Sequence, residues 1–260
     1  MLQSLKTRVA HVTELKPVGI AIGKLFDERI PSRGLRIHSN GLAPEVKSQL
    51  LFRTYESAEI RAVCRHLRSD LDVIELGASI GVLSCHIRRK LAIDRHLYAI
   101  EPDPDLVKLF EQNLKINGIN CGVTILNRAI SNISGEQSFV RGNTNLSGHT
   151  PQVCHGGSLT VEGTTMSDLI AHLGVGEYAL VCDIEGLEIE LLAEEFEAFR
   201  NCEQIIVELH QREYSDSERL IQQLQHAHRF SLQARYGSVY VLTRSARVEK
   251  QYVRAGRQTA

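Results

Sequence analysis

Short apolar runs that stop at a polar residue recur along the chain and predict the strands of a parallel sheet. The first run covers Asp72 to Leu76 and the second covers Leu97 to Ile100. Three more follow at Val123 to Leu126, Tyr178 to Cys182 and Gln204 to Val207. Continuous apolar runs of about four to eight residues are typical of strands that are covered by helices on both faces.

Apolar residues at helical spacing separate these predicted strands. Ile80, Leu83 and Ile87 fall on one helical face after the first strand. After the second strand, Asp103 is a suitable N-cap and Pro104 fits the first helical turn. Strands that alternate with helices predict a doubly wound α/β domain.

Two further apolar runs, Phe230 to Leu232 and Val239 to Leu242, close the pattern. They face each other across a turn at Gly237 and therefore predict a terminal antiparallel hairpin. With the five earlier strands, this hairpin gives a seven-stranded, mostly parallel sheet. The dinucleotide-binding fold, in contrast, has about six strands.

The two ends of the chain lack this pattern. Residues 1–51 carry apolar residues at mixed spacing, and Pro17 and Gly19 interrupt the stretch where a helix would otherwise be expected. We interpret residues 1–51 as an N-terminal extension that either caps the core or serves as a substrate lid or partner-binding arm. The main domain then covers residues 52–244, and residues 245–260 form a basic C-terminal tail.

A glycine-containing turn follows the first predicted strand. It runs from Glu75 through Gly77 and Ser79 to Gly81, where a helix begins. A helix N-terminus after such a turn offers free backbone N–H groups to a ligand. A dinucleotide fingerprint needs glycine at three positions, but Ser79 and Val82 occupy the second and third. The turn is therefore a ligand-binding loop of another kind, or a tight turn without a ligand.

Glu101 closes the second predicted strand, 24 residues after Gly77. In a βαβ nucleotide site, a carboxylate at this place accepts hydrogen bonds from ribose hydroxyls. A carboxylate at the end of a strand can also simply be solvated, but the register with Gly77 favours the ribose role.

Acidic residues follow the fourth predicted strand at Asp183, Glu185 and Glu188. Unpaired carboxylates beside an apolar core are costly, so these groups need a cation, a hydrogen-bonding ligand or exposure to a cleft. The fifth strand also ends in polar groups, Glu208 and His210. Because the carboxyl ends of parallel strands share one sheet edge, we expect these side chains to lie close to the glycine-containing turn.

Composition excludes several classes of protein. The 260 residues include 30 Lys and Arg against 31 Asp and Glu, a balance that argues against a nucleic-acid partner. Six scattered cysteines without a C-x-x-C pair are typical of a reducing compartment. No signal-peptide pattern or transmembrane segment is recognised, so we expect a cytoplasmic protein. As a separate expectation, it is a monomer or a homodimer. No metal site is predicted, since Cys154 and His155 lack a second pair at ligand spacing.

Taken together, these motifs resemble the FkbM-type methyltransferases, which use S-adenosylmethionine. The residues that carry the resemblance are Tyr55-Glu56, Val73 to Gly81, Ala99 to Pro102, Asn127 to Ser131 with Gly135, Asp183 to Glu188, and Ile206 to His210. The D-x-E-G-x-E block and the strand that ends in E-L-H distinguish this family from other methyltransferases. The match covers about residues 54–243 and departs from the family pattern at Ser79 and at Glu75, where members often carry Asp.

The resemblance implies a Rossmann-like class I methyltransferase fold for the main domain, with S-adenosylmethionine as cofactor and S-adenosylhomocysteine as product. It also implies O-methyl transfer to a small-molecule or glycan acceptor: a hydroxyl of a sugar, glycolipid or polyketide-like compound. The expected cofactor-binding residues are Tyr55, Glu75, Gly77, Ala78, Ser79, Gly81, Glu101, Pro102, Ala129 and Asp183. The expected catalytic residues are Asp183, Glu185, Glu208 and His210.

Methyl transfer to oxygen needs alignment of the reacting atoms and gains from a general base. We assign Asp183 to orienting the cofactor or the acceptor, and either Glu185 or His210 to the base, although His210 is equally explained as a hydrogen-bonded residue at a strand end. Acids beside a histidine are also compatible with Mg²⁺. Two alternatives remain: a methyltransferase for RNA or another non-carbohydrate acceptor, and a non-catalytic module that binds the cofactor. The acidic turn at Asp183 disfavours RNA, because it would repel phosphates.

Overall fold

A seven-stranded sheet with helices on both faces forms the body of the protein. The structure is a computed structural model that describes residues 16–140, 158–210 and 214–245. Its helices are α1 (Lys16–Leu25), α2 (Pro44–Phe52), α3 (Ser57–His66), α4 (Val82–Lys90), α5 (Pro104–Ile116), α6 (Met166–Leu173), α7 (Glu188–Glu194) and α8 (Tyr214–His226), and a short 3-10 turn covers Phe196–Phe199. Its strands are β1 (Arg29–Ser32), β2 (Leu35–His38), β3 (Asp72–Leu76), β4 (Leu97–Ile100), β5 (Val123–Leu126), β6 (Ala129–Ile130), β7 (Gly135–Val140), β8 (Ser158–Thr164), β9 (Tyr178–Cys182), β10 (Cys202–Glu208), β11 (Phe230–Tyr236) and β12 (Val239–Arg244).

The large sheet has the strand order β11-β12-β10-β9-β3-β4-β5. Strands β3, β4, β5, β9 and β10 are parallel, whereas β12 runs antiparallel to both β10 and β11. The order reverses between β3 and β9, and ligands of open α/β sheets bind at such a reversal, beyond the carboxyl ends of the strands. The predicted Rossmann-like α/β fold with a terminal antiparallel hairpin is confirmed.

Side chains along β3 alternate between two apolar cores. Val73 packs into the core that contains residues of α3, α4 and α5, whereas Ile74 and Leu76 pack into the core that contains residues of α6, α7 and α8. Because successive strand residues point to opposite faces, Glu75 lies on the same face as Val73. Its carboxyl group is therefore buried in the layer between the sheet and α4.

The segment that precedes the main domain is more regular than its sequence pattern suggested. It forms α1, the β1–β2 hairpin and α2. Gly19 lies within α1 and does not interrupt it. A Cβ atom there would lie 1.8 Å from the carbonyl oxygen of Pro44, so glycine permits the close contact with α2. Ile30 and Ile37 of the hairpin are fully buried in the same core as α3 and α4. Residues 16–52 therefore pack directly on the α/β core, and a role as lid or partner arm stays a prediction.

A buried amide connects the N-terminal hairpin to the glycine-containing turn. Asn113 of α5 accepts the His38 backbone N–H at 2.6 Å and donates to the Ile80 carbonyl oxygen at 2.8 Å. At the C-cap of α5, Asn117 accepts the Arg36 N–H at 3.0 Å and donates to the Arg36 carbonyl at 2.8 Å. These two asparagines give β2 the pairing that a neighbouring strand would otherwise provide.

Several sequence expectations fall outside the described residues. Cys154 and His155 are among these, as are residues 246–260 of the basic tail. The strands of the small sheet β6-β8-β7 come from either side of the undescribed residues 141–157. Within the described ranges, none of the helices has the length and apolarity needed to cross a membrane.

Candidate active site

The turn between β3 and α4 lies against the carboxyl ends of both neighbouring strands. Gly77 and Ala78 each donate a backbone N–H to the carbonyl oxygen of Ile100 at 3.0 Å. Gly77 has a φ of +83°, and a Cβ atom there would lie 1.8 Å from the carbonyl oxygen of Asp183. The Asp183 N–H in turn donates to the Leu76 carbonyl at 3.0 Å. The absence of a side chain at Gly77 therefore lets the turn touch the acidic turn after β9.

Gly81 is also required where the turn enters α4. Its φ is +76°, and a Cβ atom would lie 1.9 Å from the Phe110 ring. Between the two glycines, Ser79 has a φ of +50°. The phenol oxygen of Tyr55 lies 3.3 Å from the Ser79 hydroxyl, so the predicted residue Tyr55 contacts the middle of the turn.

Glu101 is buried at the end of β4, beside the same turn. Its Oε2 accepts the Ser79 N–H at 2.7 Å, and its Oε1 accepts the Asp103 N–H at 2.8 Å. Burial raises the pKa of Glu101 to about 7, against the effect of these two hydrogen bonds. A carboxylate has about four acceptor sites, so each oxygen can still accept a second bond. Of the other predicted cofactor residues, Pro102 follows β4 and Ala129 begins β6.

Glu56 contacts the turn from the side of α3, and the sequence motifs indicate no separate role for it. Its Oε2 accepts the N–H of Leu83 in the first turn of α4 at 3.1 Å. Burial and the nearby acid Glu59 raise the pKa of Glu56 well above its ordinary value. A carboxyl group at this end of a helix is favoured by the helix dipole. The two residues are 27 positions apart in sequence, so no local pattern indicates the contact.

Glu75 lies below the turn and does not face the cleft. Its Oε2 accepts the Ser84 hydroxyl of α4 at 2.6 Å. Among the described residues, its buried Oε1 has no hydrogen-bond partner. Burial raises the pKa of Glu75 to about 8. The carboxyl group is enclosed between β3 and α4, and its contact with the cofactor stays a prediction.

The acidic turn after β9 is folded around the carboxylate of Glu188, the first residue of α7. Glu188 Oε1 accepts the backbone N–H groups of Ile184 and Gly186 at 3.0 Å each, and its Oε2 accepts the Gly186 N–H at 3.1 Å. Glu185 adopts a φ of +56° within this turn. The sequence motif includes Glu188, but its spacing alone does not indicate that this side chain organises the turn.

His210 lies among three carboxylates just beyond the end of β10. Its Nδ1 lies 3.0 Å from Glu188 Oε1 and 3.8 Å from Asp183 Oδ1, whereas its Nε2 lies 3.6 Å from Glu185 Oε2. Burial by itself would lower the pKa of His210, but the hydrogen bond to Glu188 and the nearby charges outweigh burial and raise the pKa to about 9. The ring is therefore an imidazolium at neutral pH.

A second group of acids lies on the other side of Asp183. The Glu59 carboxyl group on α3 hydrogen-bonds to Glu208, and burial together with this bond raises the pKa of Glu59. Glu208 Oε1 also accepts the Ser238 hydroxyl at 2.6 Å. Burial, Glu208 and Glu185 raise the pKa of Asp183 to about 8. Glu59 is a further residue that the sequence pattern does not indicate, because it belongs to a helix that is far in the sequence from the ends of β9 and β10.

Among the residues that the structure describes, two sets of side chains bring three potential metal-ligand atoms within 4.8 Å of one another, and both sets include Asp183. In the first set, Nδ1 of His210 already donates to Glu188. In the second set, Glu59 and Glu208 share a hydrogen bond. In each set, two of the three ligand atoms are therefore joined by a hydrogen bond, and we describe both sets as hydrogen-bonded groups of the site.

The structure brings all four predicted catalytic residues to one edge of the sheet. Asp183 and Glu185 follow β9, while Glu208 and His210 come from the end of β10. The glycine-containing turn is next to them, because β3 pairs with β9. A group of acids beside one imidazolium can hold a cation, orient a hydroxyl group and accept its proton.

The chain shows similarity to methyltransferases in two comparisons. The family model described as Methyltransferase FkbM domain matches residues 75–237. Solved structures that resemble this chain include a ribosomal protein L11 methylase from Lactobacillus delbrueckii subsp. bulgaricus. The two share 14% sequence identity over 74% of this chain and 79% of that chain, with a TM-score of 0.44. Another is a Precorrin-6y C5,15-methyltransferase from Geobacter metallireducens GS-15, at 13% identity over 73% and 88% of the two chains, with a TM-score of 0.43. A search of curated protein sequences found no match.

Proposed function

The chain belongs to the FkbM methyltransferase domain family and is an S-adenosylmethionine-dependent methyltransferase, and from this premise we propose that it methylates a hydroxyl group of a sugar, glycolipid or polyketide-like acceptor. One observation carries the proposal. The glycine-containing turn touches the acidic turn directly, since Gly77 has no room for a Cβ atom against the Asp183 carbonyl. A cofactor held by the first turn would thereby lie beside Asp183, Glu185 and His210.

The residues around the turn fit S-adenosylmethionine, which supplies a methyl group on a positively charged sulfur. Glu101 is at the strand end where ribose hydroxyls are bound, and both of its oxygens keep an acceptor site. Gly77 and Gly81 carry no Cβ atom at the two points where the turn is closest to the Asp183 carbonyl oxygen and to the Phe110 ring. The acids that follow β9 and β10 suit a cationic ligand, because an opposite charge reduces the cost of burying them.

The acids and the imidazole supply the groups that a hydroxyl acceptor needs. Among the described side chains, Asp183 Oδ1 is buried without a hydrogen-bond partner, so it is suited to accept a bond from the acceptor hydroxyl and orient it. The hydroxyl proton goes to Glu185 or to Nε2 of His210. Only the neutral imidazole can accept a proton, so the pKa of about 9 for His210 restricts its use as the base to high pH.

An RNA acceptor is the less favoured alternative. The acidic side chains here are Glu59, Asp183, Glu185 and Glu208, and His210 is the one basic side chain among them. Binding of nucleotide phosphates relies on Lys and Arg side chains, and these five residues include neither. We therefore propose a small-molecule or glycan acceptor, without a nucleic-acid partner, for a cytoplasmic enzyme.

Turnover of the methyl donor with a panel of hydroxyl compounds tests the proposal. The wild-type protein should form S-adenosylhomocysteine only when a sugar, glycolipid or polyketide-like alcohol is present. Glu185→Gln should lose most of this turnover while it still binds S-adenosylhomocysteine, whereas the exposed control Glu190→Gln should behave as wild type. Methylation of RNA but of none of the alcohols would overturn the proposal. Cofactor binding without product, in wild type and Glu185→Gln alike, would instead indicate a non-catalytic module.

A further inference from the structure

Glu188 holds together the two elements from which the predicted catalytic residues come. Its side chain is fully buried, at the point where the β9–α7 turn meets the end of β10. It accepts backbone N–H groups from Ile184 and Gly186, which lie on either side of Glu185. The same Oε1 atom accepts a bond from Nδ1 of His210 at 3.0 Å. One carboxylate therefore orients both candidate bases.

The bond between Glu188 and His210 also determines the chemistry of the imidazole ring. Glu188 also accepts backbone N–H groups with both oxygens, and its role in the bond to Nδ1 is that of acceptor. In the neutral ring, which is the form that can act as a base, the proton consequently stays on Nδ1. The other ring nitrogen, Nε2, then lies on the side of Glu185 at 3.6 Å. A carboxylate that fixes the histidine tautomer in this way is a recurring arrangement of catalytic histidines.

We propose that Glu188 is a positioning residue of the methyltransferase, which fixes the acidic turn and the His210 ring so that Nε2 and the Glu185 carboxylate meet the acceptor together. The inference rests on the proposed function, because a hydroxyl acceptor is what gives these two groups a task. Glu188 is enclosed beneath the turn and does not itself touch the acceptor. Its removal should therefore affect the state of His210 and the turnover number more than cofactor binding.

Glu188→Gln is the decisive variant, because glutamine keeps the size and the acceptor oxygen but removes the charge. The matched control is Glu190→Gln, two residues further along α7 and exposed to solvent. The other acids that face His210, Asp183 and Glu185, stay in place in both variants, as does the Glu59–Glu208 pair beyond Asp183. A difference between the two variants therefore reports the loss of the Glu188 carboxylate, with its charge and its second acceptor oxygen, rather than a substitution elsewhere on α7.

NMR titration of the full-length protein measures the state of His210 without any acceptor. Its imidazole signal is assigned by its loss in His210→Gln. The acid dissociation constant of His210 should rise at least about tenfold in Glu188→Gln, as expected when a charge within hydrogen-bond distance is removed. It should be unchanged in Glu190→Gln. An unchanged constant in folded Glu188→Gln would overturn the inference.

Kinetics separate positioning from general damage to the fold. In Glu188→Gln, kcat should fall at least about tenfold, while the Kd for S-adenosylhomocysteine should stay within about threefold of wild type. Glu188→Asp keeps the charge, so its His210 acid dissociation constant and its kcat should both lie between those of Glu188→Gln and wild type. If Glu188→Gln does not fold, Glu188→Asp takes its place in the comparison. One outcome would contradict positioning through charge: in Glu188→Asp, His210 titrates as in wild type, yet kcat falls as far as it does in Glu188→Gln. If wild type shows no turnover at all, the proposed function fails, but the titration still decides the bond between Glu188 and His210.

Discussion

Replacing Glu75 by glutamine removes an ionisable group that the fold encloses between β3 and α4. Its Oε2 accepts the Ser84 hydroxyl, but no described residue bonds to its Oε1. Burial raises the pKa of Glu75 from 4.5 to about 8. The folded state therefore binds this proton more tightly than the unfolded state, and the group contributes stability that is fully present below pH 4.5 and lost as pH rises through 8.

The size of the effect follows from the two pKa values of Glu75. Between pH 7 and pH 9, the unfolded chain carries Glu75 ionised throughout, whereas the folded protein must release the proton near pH 8. Stability should fall by about 1.4 kcal/mol over this interval, which is the value of one pKa unit. The raised pKa values of Asp183 and His210 add losses of the same sign. Glutamine cannot ionise, so Glu75→Gln should lose about 1.4 kcal/mol less than wild type.

Urea unfolding at pH 7 and pH 9 measures this difference. The quantity to compare is the change in the free energy of unfolding between the two pH values, in wild type and in Glu75→Gln. Glu111→Gln, an exposed substitution on α5, serves as the control and should show the wild-type change. Equal changes in wild type and Glu75→Gln would refute the reasoning, since they would mean that Glu75 ionises at the same pH in the folded and unfolded states.

Four further predictions concern the site. Gly77→Ala should lower the Tm and weaken S-adenosylhomocysteine binding, because its Cβ would lie 1.8 Å from the Asp183 carbonyl; an unchanged thermal scan would contradict this. Glu101→Ala should weaken binding of S-adenosylhomocysteine by roughly 1.5–3 kcal/mol in calorimetry, and an equal Kd would remove Glu101 from the ribose. If His210 is the base, kcat/KM for the acceptor should rise about tenfold per pH unit towards pH 9, whereas a profile that is level from pH 7 assigns the base to Glu185. EDTA should leave turnover unchanged, and restoration by Mg²⁺ of activity lost to EDTA would show that a metal is needed.

The order of elements in the main domain could be predicted because each strand of the parallel sheet is an apolar run that ends at a polar residue. The same rule predicts that Asp183 and His210 lie at one edge of the sheet. The rule could not place Glu56 or Glu59, because it concerns residues at strand ends and both of these come from the region of α3. The contact between Glu56 and Leu83 depends on how two helices pack, and neither residue carries a local signal of it.

The N-terminal segment shows why glycine and proline mislead. Pro17 and Gly19 suggested an interruption, yet α1 contains both residues. Proline is tolerated in the first turn of a helix, where its missing N–H is not needed. Gly19 is required by a contact with Pro44, which lies 25 residues away in the sequence and is invisible to periodicity.

The bond between Asn113 and the backbone of His38 has a consequence for synthesis on the ribosome. The two residues are 75 positions apart, so at about 5–20 residues per second the hairpin waits roughly 4–15 s for its partner helix. During this time the α5 part of the core that Ile30 and Ile37 enter is missing. The hairpin of the emerging chain is therefore exposed to aggregation and to chaperones, and slow codons between the hairpin and α5 would lengthen that exposure.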